Sequence, residues 1–225
     1  DSSAGFAAAA ERLAGLVCAA ASIGRGQRVL DVGCGFGGTI ASLDGHWADL
    51  ALHGLNIEHR QLRRAAQQTL PAPVNPVYWI NADACALPFA SQSFDAVLAV
   101  ECIFHFPSRR EFFSEAFRVL KPGGYLALSD FLSTPWLRPA TWLLDHWPGH
   151  LGFYGRCDVR FGFAEYRKLA ADTGFILRTE RDITPNTLPT YRYIHALWRR
   201  VPFRSPQAAL ETLLLESVSR CGSPR

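Results

Sequence analysis

The sequence predicts an α/β fold, a doubly wound, mostly parallel sheet with helices on both faces. Three observations carry that prediction. Short apolar runs recur along the chain and alternate with stretches of helical spacing, the pattern of strands buried on both faces. Residues 29–38, Val-Leu-Asp-Val-Gly-Cys-Gly-Phe-Gly-Gly, run from a strand-like segment through a glycine-rich loop into a helical pattern near Thr39. Finally, Asp31, Asn56, Asp83, Glu101 and Asp130 each fall at or just past the carboxyl end of an apolar run. Open α/β sheets bind ligands at that edge.

Each element follows from its pattern. Ala7–Ala21 places Leu13, Leu16, Val17 and Ala20 at helical spacing, and the polar break Ser22–Gln27 follows. Gln27–Val32 is the first strand, and Thr39–Leu43 opens a helix. Ala51–Ile57 is the second strand, and Glu58–Gln68 a helix with Arg60, Arg63 and Arg64 on one face. A proline-rich loop over 70–76 precedes strand three at Val77–Asn81. Phe94–Val100 is strand four, and Ser108–Leu120 a strongly patterned helix stopped by Pro122-Gly-Gly. Tyr125–Asp130 is strand five. A short helix at Thr141–His146 sits in an irregular stretch with three prolines and three tryptophans. Ala164–Thr173 is a helix, Phe175–Thr179 strand six, and Thr190–Arg200 and Gln207–Ser219 two final helices.

Size and composition narrow the function. At 225 residues with 48% hydrophobic and 19% charged residues, the chain is expected to form one globular domain over 1–225. No run approaches the ~20 uninterrupted apolar residues of a membrane span, and no secretory signal is visible. A formal charge of +3 argues for no nucleic-acid partner. The six cysteines lack C-x-x-C or metal-ligand spacing; they are expected to be reduced packing residues of a cytoplasmic protein. No metal site is expected.

The glycine loop carries the chemistry. Glycines there admit positive φ and close backbone approach, and the next helix offers unpaired N–H groups. Gly33-x-Gly35-x-x-Gly38 satisfies the dinucleotide fingerprint, a weak match alone. Asp31 opposes it: a carboxylate there repels a pyrophosphate and attracts a cationic amino group. The second strand moreover ends in Asn56, where that fingerprint wants an acid.

With these motifs, the sequence resembles the class I S-adenosylmethionine (SAM) dependent methyltransferases, small-molecule type, related to ubiquinone/menaquinone and sterol methyltransferases and natural-product O-methyltransferases. Five segments carry the resemblance in order: Val29–Gly38; Gly54–Leu62; Asn81-Ala-Asp-Ala84 with Leu87-Pro-Phe89; Ser93–Val97; and Arg118-Val-Leu-Lys-Pro-Gly-Gly124. The resemblance implies a Rossmann-like fold and SAM as cofactor. It places Asp31, Gly33, Gly35 and Glu101 at the cofactor's amino-acid end. Asn56, Ile57 and Gln61 fall beside the ribose, with Glu58 a nearby substitute, and Asp83, Ala84 and Leu87 lie against the adenine. Many members carry Asp or Glu where this chain has Asn56. The family usually ends in an antiparallel seventh strand, for which nothing suitable follows Ser219, and usually has a further helix before residue 1. Truncation or disorder is therefore expected at both ends.

Catalysis is expected after strand four. His105 in Glu101-Cys-Ile-Phe-His105 is the candidate base, its unperturbed pKa suiting proton removal at neutral pH. In related sugar and natural-product O-methyltransferases a matching histidine works with an acid ending strand five, here Asp130. Residues 131–162 and 183–220 are expected to form the substrate side. Phe104, Phe106, Phe131, Trp136, Trp142, Trp147, Phe153 and Tyr154 point to an apolar or aromatic small-molecule acceptor. The leading expectation is O-methylation in natural-product biosynthesis. The alternatives are C-methylation of an isoprenoid, quinone or other activated carbon, RNA methylation, and a non-catalytic scaffold. A homodimer is a further expectation.

Overall fold

The structure is a computed structural model that describes residues 5–68, 74–132, 161–184 and 186. Its elements are α1 (Phe6–Ala20), β1 (Arg28–Val32), α2 (Gly38–His46), β2 (Ala51–Asn56), α3 (His59–Gln68), β3 (Val77–Asn81), β4 (Phe94–Val100), a 3-10 turn (Ile103–His105), α4 (Arg109–Val119), β5 (Leu120–Ser129) and α5 (Phe163–Asp172). The strands form one parallel sheet in the order β3-β2-β1-β4-β5. The order reverses at β1, so β1 and β4 diverge from the two sides of the switch point at which such sheets bind ligands.

Two apolar layers hold the sheet. Val29, Ala96, Leu98 and Ala127 face α1 and α2, where they meet Val17, Cys18, Ile40 and Leu43. Leu30, Val32, Phe94, Val97 and Ala99 face the other way, against Phe112, Phe113, Ala116 and Leu169 of α4 and α5. Successive residues of β1 and β4 thus bury on opposite sides, which is why those strands are apolar throughout instead of alternating. Ser108 caps α4 by accepting the Glu111 N–H at 3.2 Å.

Two expectations are corrected. Strand five was expected from Tyr125, but α4 ends at Val119 and β5 begins at once at Leu120. Leu120 already pairs with Phe94, and the register slips between Phe94 and Ala96. Gly124 sits at this slip, where an added Cβ would lie 2.9 Å from the Asp95 carbonyl oxygen. The sixth strand over Phe175–Thr179 does not form. A half-buried strand hides alternate side chains, yet neighbouring Ile176 and Leu177 are 76% and 52% exposed. Phe175 alone packs inward, edge-on to Phe113 and Phe117. Among the described residues β5 is therefore the outer strand. The helices expected at 141–146, 190–200 and 207–219 lie outside the described residues.

Candidate active site

The carboxyl ends of β1, β2 and β4 converge on the glycine loop. Gly33, Gly35 and Gly37 all have positive φ, at 68°, 54° and 83°. Gly33 also needs its missing Cβ: one built there lies 2.7 Å from Cys102 Cβ. Gly35 and Gly38 instead face open space, the first with nothing nearer than Gln61 Oε1 at 4.0 Å and the second with nothing within 4 Å. Gly37 begins α2 without a side-chain cap. The N–H groups of the first turn therefore point into space that the glycines keep clear.

Asp31 is the least satisfied group in the described structure. It is 1% exposed, and its Oδ2 is a buried atom without a hydrogen-bond partner. Burial alone pushes its carboxyl up to about 8. A buried acid with an orphaned oxygen is costly unless a donor or cation meets it. An ammonium group supplies both, so the residues present fit the amino-acid end of SAM. Glu101, at the end of β4, has the left-handed φ of 51° that only a few per cent of non-glycine residues adopt. Its N–H donates to Ser129, and burial raises its carboxyl above the ordinary range. Cys102 donates its thiol to the Val32 carbonyl oxygen at 3.1 Å, and burial holds it protonated.

The ribose and adenine candidates lie along the same edge. Asn56 ends β2 with its amide donating to Gln61 Oε1 at 2.7 Å, which fixes both side chains. Ile57 beside them is 71% exposed. Glu58, the nearby substitute, accepts the Arg60 N–H at the start of α3. Asp83 Oδ1 accepts the Cys85 N–H at 2.8 Å in an Asx turn, which leaves its Oδ2 for other partners. Ala84 and Leu87 are buried, at 6% and 4% exposure. Leu87 is placed by α4: its N–H donates to Glu115 Oε2 at 2.7 Å, and Arg118 donates to its carbonyl oxygen at 3.0 Å.

His105 closes the 3-10 turn, its N–H bonded to the Cys102 carbonyl oxygen at 3.0 Å. It is solvent-exposed, with its imidazole centred 4.3 Å from the Phe104 ring. Asp130 is committed elsewhere. Its Oδ2 accepts from Arg109 Nη2 at 2.9 Å, Arg109 Nε at 3.3 Å and the Tyr166 hydroxyl, and its Oδ1 accepts the Phe131 N–H at 2.9 Å. Both charged side chains of this pair are 1% exposed. Burial raises the Asp130 carboxyl, while the Tyr166 hydrogen bond and the Arg109 charge pull it back. The role expected of Asp130, orienting His105, is thus met by a carboxylate already holding a buried cation.

Sequence reasoning missed Arg109 and Tyr166. One signal existed: Arg109 shares a helical face with Phe112, Phe113 and Ala116, all buried, and a cation on an apolar face needs a partner. Of the aromatic set, Phe104 is 3% exposed and Phe106 packs edge-on to Phe112, so both serve the core more than an acceptor cage. Trp136, Trp142, Trp147, Phe153 and Tyr154 lie outside the described residues, as does nearly all of 131–162 and 183–220. Among the described residues an open trough of about 1410 Å³ runs along the outer edge of β5 between α1 and α5. It is on the side of β5 away from the glycine loop. Among the described residues no cluster of His, Cys, Asp and Glu suits a metal, and Cys18, Cys34, Cys85 and Cys102 are free thiols.

Residues 30–128 match the family model described as Methyltransferase domain. Together with the switch-point loop and the orphaned acid, this identifies residues 30–128 as a class I SAM-dependent methyltransferase domain. It resembles 27-O-demethylrifamycin SV methyltransferase of Amycolatopsis mediterranei at 39% identity over 126 residues, 56% of this chain and 44% of that protein. It resembles sterol 24-C-methyltransferase ERG6A of Gibberella zeae at 33% identity over 174 residues, 74% of this chain and again 44% of that protein. The chain thus spans less than half the length of either relative. The crystal structure of the [4+2]-cyclase SpnF superposes with a TM-score of 0.78 at 22% identity, covering 98% of this chain and 80% of that one. That likeness shows the fold alone. Among the described residues no helix is long and apolar enough to cross a membrane.

Proposed function

We propose that this chain transfers a methyl group from SAM to a hydroxyl of a small, largely apolar or aromatic metabolite, as in natural-product biosynthesis. The observation that carries the reading is the orphaned, buried Asp31 carboxylate beside a glycine loop whose open side admits a ligand. Asp31, with Gly33 and Gly35, holds the ammonium end, and Asn56, Ile57 and Gln61 the ribose. Asp83, Ala84 and Leu87 hold the adenine, and Glu101 faces the amino-acid end. Bound SAM supplies an electrophilic methyl on a sulfonium whose C–S electron pair returns to sulfur. The protein's part is to exclude water, align an acceptor oxygen with the methyl, and take its proton. Positioning alone is worth ~7–11 kcal/mol of barrier. His105 takes the proton, because it is exposed at the sheet edge and reaches outward from a turn anchored on Cys102. The substrate side comprises 131–162 and 183–220 of a single domain over 1–225. We place the protein in the cytoplasm, possible homodimers included, acting on a small molecule and not on nucleic acid.

Turnover with SAM is the test. His105→Ala is expected to keep affinity for the demethylated cofactor and to lose about 10²–10⁴-fold in rate. Unchanged turnover in a folded variant removes the base. Resemblance to a 24-C-methyltransferase favours a second reading, methyl transfer to an activated carbon. Methyl-labelled SAM separates the two, since the product's methyl carbon shift reports attachment to oxygen or carbon. Calorimetry showing no heat with SAM or its demethylated product would instead favour a scaffold.

A further inference from the structure

The geometry points to Arg109, Asp130 and Tyr166 as a positioning clamp that sets the His105 imidazole through the Phe131 and Phe104 rings. It rests on the reading of His105 as the base.

The clamp joins three pieces of chain remote in sequence. Arg109 is the first residue of α4, four residues beyond His105. Asp130 directly follows β5, and Tyr166 lies in the first turn of α5. The Arg109 guanidinium donates to both partners, to Asp130 Oδ2 and, through Nε at 2.9 Å, to the Tyr166 hydroxyl oxygen. Tyr166 in turn donates its own proton to Asp130 Oδ2. Phe161, just ahead of α5, lies under the guanidinium with its ring centre 4.5 Å from Arg109 Cζ. Every named acceptor and donor faces a partner, so the buried charge is confined to one geometry.

From there a chain of contacts leads to the base. Asp130 Oδ1 takes the Phe131 N–H and so fixes where the chain leaves β5. The Phe131 ring is centred 4.9 Å from the Phe104 ring, and Phe104 is centred 4.3 Å from His105. Phe104 is buried, so it has little room to absorb a displacement of Phe131. A second route is shorter: Arg109 pins the start of α4, and the Ser108 cap sits between it and the His105 turn. Asp130 therefore acts on His105 through packing and main chain. A carboxylate bonded directly to the imidazole would act through charge. The two modes differ in one respect: packing sets the ring's place, and charge sets its proton affinity.

NMR of histidine-labelled protein bound to S-adenosylhomocysteine separates them. Tyr166→Phe, the mildest change, and Arg109→Lys are each expected to displace the His105 ring resonances, while those of His53 and His46 stay put. The His105 pKa and the affinity for S-adenosylhomocysteine are expected to stay at wild-type values. The proposal is overturned if His105 is undisturbed in folded Tyr166→Phe. It is overturned equally if Asp130→Asn lowers the His105 pKa by about 1–3 units, the signature of a lost neighbouring charge. Should Arg109→Lys not fold, Tyr166→Phe decides. The base reading fails separately: His105→Ala keeping its turnover while Tyr166→Phe still moves the ring would leave a clamp around a histidine that does no chemistry.

Discussion

Binding of the cofactor is expected to expel a proton from Asp31, and the structure sets how much. Unliganded, the buried carboxyl titrates at about 8 instead of 3.8, because burial penalises its charge and Oδ2 has no partner. Only about a tenth of the molecules are then ionised at pH 7, a handicap of about 1.4 kcal/mol on pairing with an ammonium. Affinity for S-adenosylhomocysteine should rise close to tenfold per pH unit from pH 6 to 7.5. Above about 8 the carboxyl is itself ionised in the free protein and the gain stops. Isothermal calorimetry at pH 7 in buffers of different ionisation enthalpy should show release of about 0.9 proton per ligand. Stability carries the same signature with opposite sign. Unfolding frees the carboxyl to its ordinary range, so the unliganded protein loses stability as pH rises from about 4 to 8 and levels off beyond. Asp31→Asn should abolish both slopes, weaken binding, and melt higher than wild type at pH 8. A flat affinity between pH 6 and 7.5 with no buffer dependence would refute the assignment of Asp31 to the cofactor's ammonium.

Three further outcomes follow from the same geometry. Gly33→Ala should lose about 2–4 kcal/mol of stability, since its Cβ would overlap Cys102 at a positive φ, whereas Gly35→Ala should cost only about 1–2 kcal/mol and chiefly abolish cofactor binding; chemical denaturation and calorimetry on the two variants check this. Glu115→Ala should cost about 1 kcal/mol by leaving the Leu87 N–H unpaired, and should weaken binding of adenosine more than that of methionine, as competition assays can show. His53, stacked 4.8 Å from Tyr78 and held below its ordinary pKa chiefly by burial, should make the protein lose stability as pH falls below about 6.5; thermal melts of His53→Phe should lack that acid-side slope.

The sheet was legible because its strands must be apolar on both faces, which leaves few other readings for runs such as Phe94–Val100. The glycine loop was legible for a different reason: positive φ at Gly33, Gly35 and Gly37 admits few other residues. Strand six was not. Phe175–Thr179 has strand-like composition, but a strand needs a neighbouring edge to complete its hydrogen bonds, and nothing in the segment's own residues reports whether that edge engages it. The helix end was legible to within one residue, whereas the start of β5 lay five residues ahead of Tyr125, because Pro122-Gly-Gly reads as a turn and falls within the strand. Asp83 and Asn56 were placed correctly at strand ends, yet their turn and side-chain bonds depend on Cys85 and Gln61, short-range partners that composition does not single out.

Asp130 shows where such reading stops. Position alone, after β5 and across from His105, supports a catalytic acid, and the local sequence contains nothing against it. What it does not report is a cation on α4 and a phenol on α5, both brought onto the same carboxylate by packing. A buried carboxylate is defined by its counter-charge, and that counter-charge is a property of the tertiary fold. Asp31 is the converse case. No counter-charge reaches it from anywhere in the described fold, and an acid kept at 1% exposure without a partner is destabilising unless something else completes it. Two aspartates with buried carboxylates, at the ends of β1 and β5 with β4 between them, therefore differ in what meets them. The satisfied one already holds a cation of the fold, and the unsatisfied one keeps an oxygen that no group of the described fold meets.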